Sequence, residues 1–220
     1  MTIRFVAFDM DGTLVNVESS FASVHAHFGE TNTEALALFL NDQINDEEFI
    51  RRDIRIWKKH APDLRVQDLE EILASVPLMP GALSLMKSLH ARGIATAIVS
   101  GGIDILAKRV GRELGIGYVL ANGFRVDAAG RLTGEGIIRV PVKHKEEVLA
   151  RIQEQLGFTP EESAAVGNSE IDVGMFRRCR VGIAFLPADQ SVIDGASHVV
   201  REPDLEKILP HLLPSSASAT

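Results

Sequence analysis

The chain holds a single cysteine, Cys179, in 220 residues. That excludes a disulfide within the chain and fits a reducing cytoplasm. It also lacks a basic block: 23 Lys and Arg stand against 30 Asp and Glu, for a formal net charge of −7. A grip on nucleic acid is therefore not expected, while a small anion can still be held by a few placed cations and backbone N–H groups. No apolar run approaches the roughly 18 residues of a membrane helix. The apolar stretch around Val6–Phe8 is broken at once by Asp9 and Asp11, unlike a signal peptide. The seven histidines show no zinc-site spacing. No internal repeat is present, and the small, polar segment 214–220 is expected to be a frayed tail. The expectation is a soluble cytoplasmic protein with no membrane partner, a monomer or a homodimer.

What is present is an ordinary globular composition, 45% hydrophobic and 24% charged. It is enough for one substantial core with a smaller accessory domain. Ile3–Phe8 and Ile94–Val99 read as buried parallel strands, as do Ala164–Val166 and Val181–Phe185. Helical spacing joins Ala82, Leu85, Met86 and Leu89, then Ile103, Leu106, Val110 and Leu114, then Val148, Ile152 and Leu156. Phe124–Gly136, with Asp127-Ala-Ala-Gly130 in its middle, predicts a hairpin. The alternation argues for an α/β fold with a Rossmann-like parallel sheet covered by helices on both faces. Between residues 16 and 80 it stops. Only helical stripes remain there: Phe21/Val24/Phe28, Ile50/Ile54/Trp57 and Val66/Leu69/Leu73. The expected organisation is a core of residues 1–15 and 81–213 with a helical insert, 16–80, after the first strand.

Three polar clusters each follow a predicted strand: Asp9–Thr13, Ser100–Gly102 and Gly167–Asp172. In open α/β sheets such clusters converge beyond the carboxyl ends of the strands. Asp9 and Asp11, two residues apart on an extended strand end, point the same way. Crowded like charges are costly unless a cation or a strong hydrogen-bond network compensates, and Mg²⁺ suits a few carboxylates plus phosphate oxygens. One carboxylate can then attack phosphorus while the other serves as acid and base. The plainer alternative is a turn in which Asp11 and Gly12 merely reverse the chain. Ser100-Gly101-Gly102 offers a hydroxyl and free N–H groups before a helix, a natural cradle for an anion or simply a loop. Lys143 and Lys145 both precede the helix of Val148 and Ile152, where a lysine is ordinarily a solvated charge.

Asp9-Met10-Asp11-Gly12-Thr13-Leu14-Val15 resembles the first signature of the haloacid dehalogenase superfamily, and the resemblance runs from about Ile3 to Leu209. It is nearest to the phosphoserine phosphatase branch. The resemblance implies an Mg²⁺-dependent phosphatase for a small phosphorylated metabolite, phosphoserine or a similar one, acting through an aspartyl-phosphate. Asp9 would be the nucleophile, Asp11 the general acid/base, and Ser100 with Gly101 the phosphate cradle. The register Lys145-Glu146-Glu147-Val148-Leu149 implies Lys145 as the phosphate-binding lysine, with Lys143 a rival. In the insert, read as a four-helix cap, Glu18 would face a substrate ammonium and Arg51 a substrate carboxylate. Asn168 stands where the family has a metal-binding aspartate, and Asp172 keeps the second acid. The implied metal ligands are then Asp9, Asp11 and Asn168, with Asp172 in support. An amide oxygen can ligate Mg²⁺ at the loss of one negative charge. Two further readings stay open: phosphotransfer to an alcohol, and a weakened phosphate-ligand binder.

Overall fold

The computed structural model describes residues 2–213; the expected tail, 214–220, lies outside them. The chain enters through β1 (Phe5–Phe8), buried at all four positions. Four helices follow, α1 (Ser20–His27), α2 (Thr33–Leu40), α3 (Asp46–His60) and α4 (Val66–Leu73). The regular alternation then begins: α5 (Ala82–His90), β2 (Ala95–Ile103), α6 (Asp104–Leu114) and β3 (Tyr118–Val126). After β4 (Leu132–Ile137) come α7 (Lys145–Leu156), β5 (Ser163–Gly167), α8 (Val173–Arg177) and β6 (Val181–Phe185). Short pieces close the chain: α9 (Gln190–Gly195), β7 (His198–Val200) and α10 (Leu209–Leu212).

The strands form one seven-stranded sheet in the order β4-β3-β2-β1-β5-β6-β7. Every neighbouring pair is parallel except the β3–β4 hairpin. β1 is central, with Phe8 beside Ile98 of β2 and Val166 of β5. The chain builds outward from β1 to one edge and returns to its other side at β5. That reversal is where a crevice opens past the strand ends. The two faces of β1 divide the core, because alternate residues point to opposite sides. Val6 and Phe8 join Leu85, Leu89, Leu106 and Val110 on one face. Phe5 and Ala7 join Val148, Ile152, Met175 and Phe176 on the other.

The insert packs on the first face. Ile50, Ile54, Trp57 and Leu69 belong to the same apolar cluster as Val6 and Phe8. α3 starts at Asn45, whose side chain accepts the N–H of Glu48; its first turn is acidic and its last basic, complementing the helix dipole. It lies close against β4, since a Cβ on Gly136 would come within 2.9 Å of Ile50 Cγ2. No described helix is long and apolar enough to cross a membrane.

Two features depart from the sequence reading. The strand expected to end at Val99 continues through Ser100, Gly101 and Gly102 to Ile103, with its register against β3 shifting on the way. The two glycines allow this close passage: a Cβ on Gly101 would meet Val142 Cγ2 at 2.6 Å, and one on Gly102 would meet Asp11 Oδ2 at 2.6 Å. Helix α2 shows no clean stripe in the sequence, because Ala35 and Phe39 are buried while Leu36 and Leu40 stay exposed.

Candidate active site

Three strand ends meet at the crevice. β1 delivers Asp9, β2 delivers Ser100–Gly102, and β5 delivers Gly167 and the turn that follows. Asp9, Ser100, Gly101 and Gly102 line one cavity of about 430 Å³, together with Asp11, Glu18, Lys145 and Asn168.

Lys145, at the start of α7, is 1% exposed, and its Nζ donates to Asp9 Oδ1 at 2.8 Å and to Asp172 Oδ1 at 2.7 Å. Burial alone would lower its pKa, but the two carboxylates outweigh that and hold it above the usual lysine value. Asp172 is fully buried; its Oδ2 accepts the N–H groups of Asn168 at 3.0 Å and Ser169 at 3.2 Å. It therefore clamps both the lysine and the turn bearing Asn168. Gly167 makes room for it, since a Cβ there would lie 2.4 Å from Asp172 Cγ. Burial raises the carboxyl of Asp9 to about 6, opposed by the Lys145 charge.

Asp11 is held from the insert. Its Oδ2 accepts from Ser20 N at 2.9 Å and Ser20 Oγ at 2.8 Å. Ser20 Oγ in turn accepts from Ile103 N at 3.0 Å, so one hydroxyl joins three segments. Burial pushes the Asp11 carboxyl up to about 7, moderated by those Ser20 hydrogen bonds. Its Oδ1 is buried with no protein partner. Ser100 is 1% exposed and accepts Gly102 N–H at 3.1 Å, while Asn122 fixes the cradle by donating to Gly101 O at 3.2 Å and Val140 O at 2.9 Å.

The structure brings Lys145 into the site and not Lys143. Lys143 Nζ instead caps the end of α2, donating to Phe39 O at 2.8 Å and pairing with Asp42. Glu18 lines the cavity. Arg51 does not: its guanidinium is held by Glu48 at 2.7 Å and Glu135 at 2.9 Å. A charged fork with two carboxylates in reach turns toward them rather than into an apolar cavity. Ser20 and Asn122 carry roles the sequence reading did not assign. Asn122 left a signal, as a polar side chain in the middle of the strand sequence Tyr118–Val126.

The residues fit a hard cation. Asp9, Asp11 and Asn168 line the same cavity with side-chain oxygens, and Asp11 Oδ1 is an orphaned buried carboxylate atom. Asn168 lies against Gly12, where a Cβ would sit 2.3 Å from its Nδ2. Among the described residues no trio of His, Cys, Asp or Glu is arranged to hold a metal. A cation held by these three residues would meet two carboxylates and one amide.

The model of the haloacid dehalogenase-like hydrolases matches residues 6–177, most of the chain. The chain belongs to this family. This haloacid dehalogenase-like hydrolase is 30% identical over 216 residues to a phosphoserine phosphatase of Methanocaldococcus jannaschii, covering 95% of this chain and 97% of that one. It is 32% identical over 194 residues to a phosphoserine phosphatase of Idiomarina loihiensis, covering 86% of each. Among solved structures, a substrate-bound phosphoserine phosphatase complex superimposes with a TM-score of 0.82 at 26% identity, over 97% of this chain and all of that one. A phospho-aspartyl intermediate analogue of phosphoserine phosphatase gives 0.82 at 27%, with the same coverage.

Proposed function

We propose that this hydrolase is an Mg²⁺-dependent phosphatase that cleaves a small phosphomonoester through an aspartyl-phosphate on Asp9. The observation that carries the reading is the buried chain Asp9–Lys145–Asp172, set at the meeting of three strand ends beside Ser100 and Asp11. The relatives, including a structure described as a phospho-aspartyl intermediate analogue, support it.

A carboxylate oxygen of Asp9 attacks phosphorus, and the ester P–O bond breaks. Asp11 gives a proton to the leaving alkoxide. Water then enters, Asp11 takes a proton from it, and the resulting hydroxide attacks the phosphoryl group. Inorganic phosphate leaves and Asp9 returns as a carboxylate. Lys145, Ser100 Oγ and the N–H groups near Gly101 stabilise the equatorial oxygens as charge builds there. Asp172 keeps Lys145 in place. Held by Asp9, Asp11 and Asn168, Mg²⁺ supplies positive charge against the phosphate and the paired carboxylates.

Residues 16–80 act in this proposal as a cap domain over a core of residues 1–15 and 81–213, shutting out bulk water during turnover. Ser20 ties that insert to Asp11. The relatives' names favour phosphoserine as substrate, and Glu18 suits its ammonium, whereas Arg51 is engaged elsewhere. A second reading, a phosphate-ligand binder with little turnover, is favoured by the amide at Asn168.

Phosphate release from a panel of esters, with Mg²⁺ and with a chelator, separates the two. Metal-dependent release supports the phosphatase. No release from any ester, unchanged by Asn168→Asp, supports the binder.

A further inference from the structure

The cavity has two chemically different ends. The floor carries the phosphate chemistry; the wall above it, from α2 and α3, is Leu36, Phe39, Leu40, Phe49 and Ile50. Phe39 and Phe49 stack with ring centroids 5.0 Å apart, a rigid apolar surface. Among the described residues five large hydrophobics are exposed. Two of them, Leu36 at 45% and Leu40 at 57%, stand on this wall, continuous with the catalytic floor. Among the described lining residues Lys145 is the one cation, and it is engaged by Asp9 and Asp172. Glu18, Asp46, Glu170 and Asp189 add negative charge around the same space. The nearby Arg51 and Lys143 are turned away into ion pairs with Glu135 and Asp42. A carboxylate on the leaving group would be desolvated among like charges with no partner, whereas an apolar group would cover the exposed leucines.

We propose that the site prefers phosphomonoesters whose leaving group is apolar and carries no carboxylate, with the Leu36–Leu40 wall as the specificity element. This rests on the phosphatase reading above.

The test measures kcat/KM in Mg²⁺ for methyl, butyl, hexyl and phenyl phosphate and for phosphoserine, with p-nitrophenyl phosphate as the general reporter. Calorimetric Kd values for methyl-, butyl- and hexylphosphonate give a readout without turnover. Each added methylene is expected to raise kcat/KM about fourfold, the equivalent of ~0.8 kcal/mol, until the wall is covered. Hexylphosphonate is expected to bind at least roughly tenfold tighter than methylphosphonate, and phosphoserine to fall at least roughly tenfold below hexyl phosphate. Leu36→Ser and Leu40→Ser should flatten the chain-length slope. If p-nitrophenyl phosphate is hydrolysed but phosphoserine outruns hexyl phosphate, or the slope is flat, this inference is wrong and the phosphatase reading stands. If no ester is turned over, the reading beneath it fails and takes the inference with it.

Discussion

Lys145 Nζ lies 2.8 Å from Asp9 Oδ1, with the two side chains 1% and 5% exposed. A charge sealed this deeply is tolerable only because Asp172 completes the triad on the other side. Lys145→Met leaves two buried carboxylates facing each other. It is expected to cost on the order of 3–5 kcal/mol of stability at neutral pH, read by chemical denaturation, and to abolish phosphate release. A variant as stable and as active as the parent would show that the triad does not hold the site together.

Asp11 gives a pH prediction whose sign is set by burial. Its carboxyl is raised from 3.8 to about 7, so between those values the folded chain binds a proton that the unfolded chain does not. Stability of the metal-free protein should therefore fall as pH rises through that window. Mg²⁺ binds the ionised carboxylates, so it should raise Tm more at pH 7.5 than at pH 5. Equal shifts at both pH values would count against Asp9 and Asp11 as the metal's ligands.

Asn168→Asp restores a third carboxylate to the donor set. The concentration of Mg²⁺ giving half-maximal activity should drop roughly tenfold, about 1.4 kcal/mol of added attraction. An unchanged requirement would place the metal away from residue 168.

Ser20 donates to Asp11 through both its N–H and its hydroxyl. Ser20→Ala removes the hydroxyl bond that favours the ionised carboxylate, so the Asp11 pKa should rise. The limb of the pH–rate profile set by that group should move to higher pH, and kcat should fall roughly tenfold or more. A profile that does not move would reduce Ser20 to a packing role.

Arg51 is engaged by Glu48 and Glu135 at the protein surface and does not line the cavity. Arg51→Ala is expected to leave kcat/KM for phosphoserine within about twofold, since exposed ion pairs contribute little. A large rise in KM would return Arg51 to the substrate.

The strands and most helices were legible because their periods are clean. Val6 and Phe8 share one face and Phe5 and Ala7 the other, and Ile50, Ile54 and Trp57 recur at helical spacing. Helix α2 was not legible, since its exposed leucines face a cavity rather than the core, and neither was the three-residue β7. Asp9, Asp11 and Ser100 were proposed because polar clusters follow predicted strands, and Lys145 because of the register Lys145-Glu146-Glu147-Val148-Leu149. Ser20 and Asn122 were missed because their roles depend on partners far along the chain, Ile103 for one and Val140 for the other. The ion pair of Arg51 with Glu135, 84 residues away, was not legible for the same reason.

The central claim is that Asp9 is the nucleophile. Its most direct measurement is phosphate release in saturating Mg²⁺ by the parent chain and by Asp9→Asn, which keeps the side chain's size. The account predicts turnover by the parent and a loss of at least roughly 10³-fold in the variant, with the fold intact by circular dichroism. Turnover by Asp9→Asn within about tenfold of the parent would contradict it.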